Sequence, residues 1–279
     1  MKRSHKLRLV AILLTLLLAA GAFSGCAASS GGGDGSADLL TTVLDRGELV
    51  VTLNLGNEPW GYTDADGGYA GMAVDLINGF AESIGVTVEF SPLEFSSMIP
   101  AIQSDRADII CTNLTRSASR ATSVTFTEPV GSSYVVAVVR QDTISSLEEL
   151  NAPDITLTTE SGTVHEGIAA ENFPDATMSS VNQNADAIAA LKAGRADAFL
   201  TDLTIAEAAC AADDSITYIS TPVYVDTFSF AVKCASTSYT FVEAFNTYLR
   251  LIKGDGTYAA LYEKHFGETW SPAYTELGM

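Results

Sequence analysis

One short pattern occurs twice in this chain and sets what it can fold into. Residues 99–115 read IPAIQSDRADIICTNLT, and residues 188–204 read IAALKAGRADAFLTDLT. Aligned without gaps, the copies share Ile99/Ile188, Ala101/Ala190, Arg106/Arg195, Ala107/Ala196, Asp108/Asp197, Thr112/Thr201, Leu114/Leu203 and Thr115/Thr204. Each copy reads as the end of an amphipathic helix, a tight turn (Ser104-Asp105 or Ala193-Gly194), and a short apolar strand that leads into a polar loop. In open α/β sheets, ligands bind outside the carboxyl ends of the strands. At those ends the copies differ: Asn113 aligns with Asp202, and Arg120 just downstream aligns with Ala209. One unit offers a cation and the other an anion, a complement for a zwitterion.

Around the first copy, the pattern predicts a short helix capped by Asp38 and running to Leu44, a strand at Glu48–Leu53, and a hairpin with Asp66-Gly67-Gly68 at its tip. A helix over Met72–Ile84 should end at Gly85, and a strand should follow at Val86–Phe90. Ser96 or Ser97 is the expected cap of the helix entering the repeat. Around the second copy come strands at Ile155–Thr159 and Thr177–Val181 and helices to about Phe173 and over Ala185–Lys192. A β-prone run at Tyr134–Val139 precedes the second unit, and another at Phe228–Val232 leads to the closing helices. Gly254-Asp255-Gly256 should separate an amphipathic helix (Val242, Phe245, Leu249, Ile252) from a last one at Tyr258–Phe266. Two β-α-β-α-β units imply an α/β fold of two similar lobes, with mixed, mainly parallel sheets joined by extended segments near 130–135 and 223–228. The competing architecture is one doubly wound sheet.

The 279 residues are 47% hydrophobic, which suits a folded chain with ample core. A net charge of −19 argues against nucleic-acid partners, whose phosphates it would repel. The first 25 residues hold Lys2, Arg3, Lys6 and Arg8, then an apolar run from Leu9 to Phe23, then Ser24-Gly25-Cys26. This reads as a secretory signal, because the run is short for a membrane span; an uncleaved anchor helix is the alternative. Ala27–Ala37, rich in Gly and Ser, reads as a flexible tether. Cys111 reads as a small buried hydrophobe, while Cys210 and Cys234 are free to bridge or not. No Cys/His cluster suggests a metal, the three histidines are scattered, and no nucleophile elbow is present.

Taken together, the stretches GELVVTLNLGNEPWGY, YAGMAVDLINGFAESIGVTVEF, MIPAIQSDRADIICTNLTRSASRATSVTFTEPV, ESGTVHEG, AGRADAFLTD and IKGDGTYAALYEKHFG resemble the extracellular amino-acid-binding proteins of ABC importers. The resemblance implies the two-lobe, type II periplasmic-binding-protein fold with a two-segment hinge. Segments 38–132 and 227–279 would form lobe 1, and 133–226 lobe 2. Segment 1–25 would be the signal, and 26–37 the lipidated Cys26 with its tether. Cys26 follows small residues as in a bacterial lipobox, although Phe23 stands where Leu is usual. It further implies an amino-acid ligand, no cofactor, permease and ATPase partners, a monomer, and a lipid anchor on the outer side of the cell membrane.

For the site, the resemblance assigns Arg120 to the ligand carboxylate and Asp202 to its ammonium. Arg suits the first role because its planar fork makes two parallel hydrogen bonds to a carboxylate. Asp202 could instead cap the helix that follows it. Thr115 and Asn113 match positions that contact the amino-acid head, and Thr163 sits beside Gly162 at a helix start. Phe95 falls where an aromatic flanks the ligand side chain, or else in the core. Asn57 stands where many members carry an aromatic, and Trp60 either replaces that wall or packs beneath the loop. Asn54 and Glu160 occupy positions that tune side-chain choice, while Asp75 and Arg106 look structural. Two rival readings share the fold. One is a secreted cyclohexadienyl-dehydratase-like enzyme with Glu160 or Glu166 as general acid, and the other is a ligand-sensing partner of a membrane receptor.

Overall fold

The computed structural model describes residues 37–270; the proposed signal, Cys26 and most of the tether lie outside them. The chain opens with helix α1 (Leu39–Arg46), whose first turn is capped by Asp38 accepting from the Thr41 N–H at 3.2 Å. Strand β1 (Glu48–Leu53) leads into the small antiparallel strands β2 (Gly56–Asn57), β3 (Gly61–Thr63) and β4 (Tyr69–Ala70). Helix α2 (Met72–Ile84), strand β5 (Thr87–Pro92), helix α3 (Phe95–Gln103) and strand β6 (Ile109–Ile110) complete the first unit. Strand β7 (Val124–Phe126) and the long β8 (Gly131–Arg140) carry the chain onward.

The second unit follows the same plan: β9 (Thr156–Glu160), α4 (His165–Asn172), β10 (Thr177–Val181), α5 (Asn184–Lys192) and β11 (Ala198–Asp202). Helix α6 (Leu203–Ala212) and strand β12 (Ile216–Phe228) bring the chain back to β13 (Ala231–Lys233), α7 (Tyr239–Asp255) and α8 (Thr257–Phe266). The strands form two five-stranded sheets, ordered β5-β1-β6-β13-β7 and β10-β9-β11-β8-β12. In each, the first three strands are parallel, the fourth runs against them, and the fifth pairs antiparallel with the fourth. This is the mixed, two-lobe architecture, and the single doubly wound sheet is excluded.

Both sheets are buried on both faces. On the first, Leu49, Val51, Ile109 and Val232 meet α2 and α7, while Ile110, Val124 and Ala231 meet Phe95, Met98 and Ile102 of α3. On the second, Val139, Leu157 and Leu200 meet Ala169 and Phe173, while Val136, Val138 and Phe199 meet Ala187, Leu191 and Ile205. The period-2 alternation assigns each residue to its face.

The repeated Arg-Ala-Asp has one structural job in both units. Asp108 donates its N–H to the Val50 carbonyl at 2.8 Å, and its carboxylate accepts from the Val50 N–H at 2.8 Å. Asp197 does the same with Thr156, at 2.7 and 3.0 Å. Each carboxylate also takes an arginine, Arg46 in one case and Arg140 in the other. The preceding turns use left-handed residues, Asp105 at φ 57° and Gly194 at φ 67°. The repeat thus pins the start of a central strand to its neighbour, which places the strand's far end at the cleft.

Two expectations are corrected. Helix α3 starts at Phe95 after Glu94 with no side-chain cap, so neither Ser96 nor Ser97 caps it. The run Phe228–Val232 is not one strand: β12 ends at Phe228, and the chain bends through Ser229-Phe230 before β13. The β12 strand itself was missed because Thr221-Pro222 interrupt its pattern, at a register shift between Ile219 and Tyr224. Cys210 and Cys234 are both free thiols, and Cys111 is buried with its thiol on the Ala73 carbonyl. Folded protein should therefore label rapidly at Cys234, while Cys111 should label only on unfolding, as mass mapping after thiol alkylation would check.

Candidate functional site

The two crossings between the sheets run side by side. Gly131–Val135 at the start of β8 pairs with Tyr224–Phe228 at the end of β12, and Thr115 bridges to Phe228 beside them. The carboxyl ends of β1, β6, β9 and β11 converge above this junction. There Asn57, Phe95, Asn113, Thr115, Glu160, Thr163, His165, Asn184 and Asp202 line a narrow, polar chamber. Asn54 stands one hydrogen bond away, its amide donating to Glu160 at 2.7 Å.

Three asparagines form a ladder across the chamber. Asn184 donates to Asn57 at 2.9 Å, Asn57 to Asn113 at 2.7 Å, and Asn113 to an Asp202 carboxylate oxygen at 2.7 Å. The ladder begins and ends on the second lobe and passes through two residues of the first. Asp202 precedes α6 but makes no side-chain bond to its backbone, so the capping alternative is not realised. Its second oxygen, Oδ1, is buried with no hydrogen-bond partner and lies 3.6 Å from His165 Nε2.

Arg120 sits at the outer edge of the chamber. Its guanidinium lies over the Phe95 ring, 5.5 Å from the centroid, and donates to the Thr115 and Gly162 carbonyls at 2.9 and 2.8 Å. Among the described residues no carboxylate reaches it within ion-pair distance. Burial lowers its pKa to about 10, partly opposed by the nearby Asp226 charge. Thr163 spends its hydroxyl hydrogen on the Glu160 carbonyl at 2.7 Å, and α4 begins two residues later, so Thr163 is not the capping residue.

Trp60 is a correction. Its ring is 1% exposed and packs edge-on against Phe228 and Phe266 in the core, away from the chamber. It therefore does not replace the wall that Asn57 leaves polar. Asp75 meets Lys264 and His265, and Arg106 bonds Ser104, in keeping with structural roles.

Sequence reasoning missed His165, Asn184 and Asp226. A ring nitrogen of His165 and one carboxylate oxygen each from Asp202 and Asp226 lie within 4.8 Å of one another, although the residues span three elements. Asp226 is fully buried, accepts from the Thr115 hydroxyl at 2.7 Å, and has its pKa raised to about 7 by burial and then by the Asp202 charge. The only sequence signal was that Asp226 fell within the expected hinge segment.

Glu160 is likewise raised to about 7, chiefly by burial and against the help of Asn54. A carboxyl whose pKa rises on folding binds more protons in the folded state, so its contribution to stability falls as pH rises. Between pH 4.5 and about 7, the ligand-free protein should lose melting temperature more steeply than Glu160→Gln. Parallel thermal melts of the two proteins across that range would check this.

The fold and chamber define a type II, two-lobe binding protein for small polar solutes. Residues 49–268 match the bacterial extracellular solute-binding proteins, family 3, and the chain belongs to that family, which acts outside the cytoplasm; the curated relatives of this chain include amino-acid-binding proteins of ABC transporters. The ABC transporter glutamine-binding protein GlnH of Bacillus subtilis is 24% identical over 279 residues, covering 96% of this chain and 98% of its own. A cyclohexadienyl dehydratase of Pseudomonas aeruginosa is 25% identical over 166 residues, 58% of this chain and 62% of its own. The crystal structure of the ancestral amino acid-binding protein AncCDT-1, a precursor of cyclohexadienyl dehydratase, superposes with a TM-score of 0.75. It is 32% identical, covering 81% of this chain and 99% of that one. No described helix is long and apolar enough to cross a membrane.

Proposed function

We propose that this chain is the substrate-binding lipoprotein of an ABC importer. Held to the outer face of the cell membrane through Cys26, it captures one amino acid between its lobes and hands it to the permease. One observation carries the reading: among the described residues, the Arg120 guanidinium has no acid within ion-pair distance and the buried Asp202 and Asp226 carboxylates have no lysine or arginine there, with Thr115 bonded to Arg120 on one side and to Asp226 on the other. Burying unpaired charge costs several kcal/mol per ion, so such a site favours a ligand that brings both missing signs. Arg120 takes the α-carboxylate in a two-pronged grip, and Asp202 takes the α-ammonium. Thr115, Asn113 and Thr163 frame the head group, and Phe95 flanks the stem. Glu160, Asn54 and Asn57 present polar groups that suit a polar or basic side chain. Closure about the paired crossings seals the chamber.

The test is a thermal-shift screen against the common amino acids. At a hundredfold excess over Kd, a bound ligand adds about 2.7 kcal/mol to stability, several degrees for a domain of this size. A screen in which none raises the melting temperature would refute the reading. The dehydratase reading keeps one specific support, the buried Glu160 carboxyl with its pKa near 7, suited to donating a proton. Turnover of prephenate or arogenate by purified protein would favour it; recovery of a bound amino acid unchanged would favour transport.

A further inference from the structure

We propose that Asp226 is a second counter-charge for the ligand's α-ammonium, so that Asp202, Asp226 and His165 together form the cation seat. The inference rests on the reading above and adds a binding residue to it. Each member of the trio has one polar atom engaged at its back. Asn113 donates to Asp202 Oδ2 and Thr115 donates to Asp226 Oδ2, both at 2.7 Å. Thr159 Oγ1 spends its single hydrogen on the Leu200 carbonyl at 3.0 Å, so towards His165 Nδ1, 3.3 Å away, it accepts. An imidazole holding its proton on Nδ1 presents a lone pair at Nε2.

What remains at the front is unsatisfied. Asp202 Oδ1 and Asp226 Oδ1 are buried atoms with no hydrogen-bond partner, on side chains 4% and 0% exposed. Two buried carboxylates set this close repel one another when both are charged, and a primary ammonium supplies three N–H groups from one nitrogen. Acceptors ~2.8 Å from an ammonium nitrogen stand roughly 4.6 Å apart, whereas ligands ~2.1 Å from a divalent metal stand roughly 3.4 Å apart. The trio, 3.6 Å apart at its His165–Asp202 edge and within 4.8 Å throughout, spans the range from one spacing to the other, and the metal competition in the experiment below separates them. Thr115 fixes which end of the ligand arrives: its carbonyl holds Arg120 while its hydroxyl holds Asp226, so carboxylate and ammonium seats flank one residue.

The groups acting on Asp226 are Asp202 on β11, His165 on α4 and Arg120 beyond Thr115, with Glu160 on β9 acting on Asp202 and His165 in turn. With its carboxyl half-protonated near pH 7, arrival of an ammonium should expel that proton. Affinity should then weaken as pH falls below 7, by up to about tenfold per pH unit.

The experiment is calorimetry of purified wild type and Asp226→Asn with the amino acid found by thermal shift, from pH 5.5 to 8, in buffers of different ionisation enthalpy. Expected are at least tenfold weaker binding in Asp226→Asn, proton release by the wild type below pH 7, and a reduced release in the variant. Wild-type affinity and proton release in a folded Asp226→Asn, with Arg120→Ala and Asp202→Asn both inactive, would overturn this inference and leave the importer reading standing. Should Asp226→Asn fail to fold, wild-type binding without proton release overturns it alone. Tight binding of Zn²⁺ or Mn²⁺ by the wild type, lost in the variant and competing with the amino acid, would overturn it by assigning the trio to a metal. Absence of any amino-acid binding would remove both readings together.

Discussion

Arg120→Ala is expected to abolish amino-acid binding while leaving the fold intact. Truncating one partner of a buried charge pair costs roughly 2–5 kcal/mol of binding, at least about thirtyfold in Kd, because the ligand carboxylate is left buried and unpaired. The fold should survive because the guanidinium bonds only to the Thr115 and Gly162 carbonyls and lies over Phe95 at the chamber's rim. Arg120→Lys should also bind poorly, since a single ammonium cannot reproduce a planar fork. Calorimetry gives the affinity and circular dichroism the fold. Unchanged affinity in a folded Arg120→Ala would sink the assignment of this residue and the charge argument with it.

Trp60→Ala should show the opposite profile: a stability loss of about 3–5 kcal/mol, the cost of emptying a large aromatic site. The indole is wedged between Phe228 and Phe266, with ring centroids 5.5 and 5.4 Å away. It also closes over Gly131, where an added Cβ would lie 2.4 Å from the ring, so the backbone of β8 passes directly beneath it. A small residue at position 60 would leave a void that this sheet-bound backbone cannot fill. Urea unfolding at constant pH measures the loss; a change below about 1 kcal/mol would contradict the packing described.

These two residues also show what could be read from the chain alone. Arg120 was found because the repeat aligns it with Ala209, a difference between otherwise matching units. Trp60 was ambiguous because an aromatic beside a proline in a cleft loop looks the same whether it faces the ligand or the core; only Phe266, two hundred residues on, decides it. Helices α1 and α2 were legible to within two residues, since local signals mark their ends: Asp38 at one start, and left-handed Gly47 and Gly85 at the two stops. The repeated Asp108 and Asp197 were visible as a pattern, but their shared task of holding the next strand's backbone was not. The pairing of His165 with Asp226 was not legible, because their meeting depends on where α4 and the crossing strand β12 arrive in space. Asn57 was read as a missing aromatic; the structure makes it the middle rung of the asparagine ladder.

That ladder carries a consequence for how the two halves come together. Its donors all point the same way, from Asn184 through Asn57 and Asn113 to the Asp202 carboxylate, so each asparagine in the middle both accepts from one neighbour and donates to the next. Amide dipoles aligned head to tail reinforce one another, and a broken rung inside the chamber strands a polar group away from water. Shutting should therefore behave as a latch with two positions, with no stable half-shut pose. Single-molecule distance measurements should record abrupt jumps, and Asn57→Ala, by removing the middle rung, should blur them into a continuum.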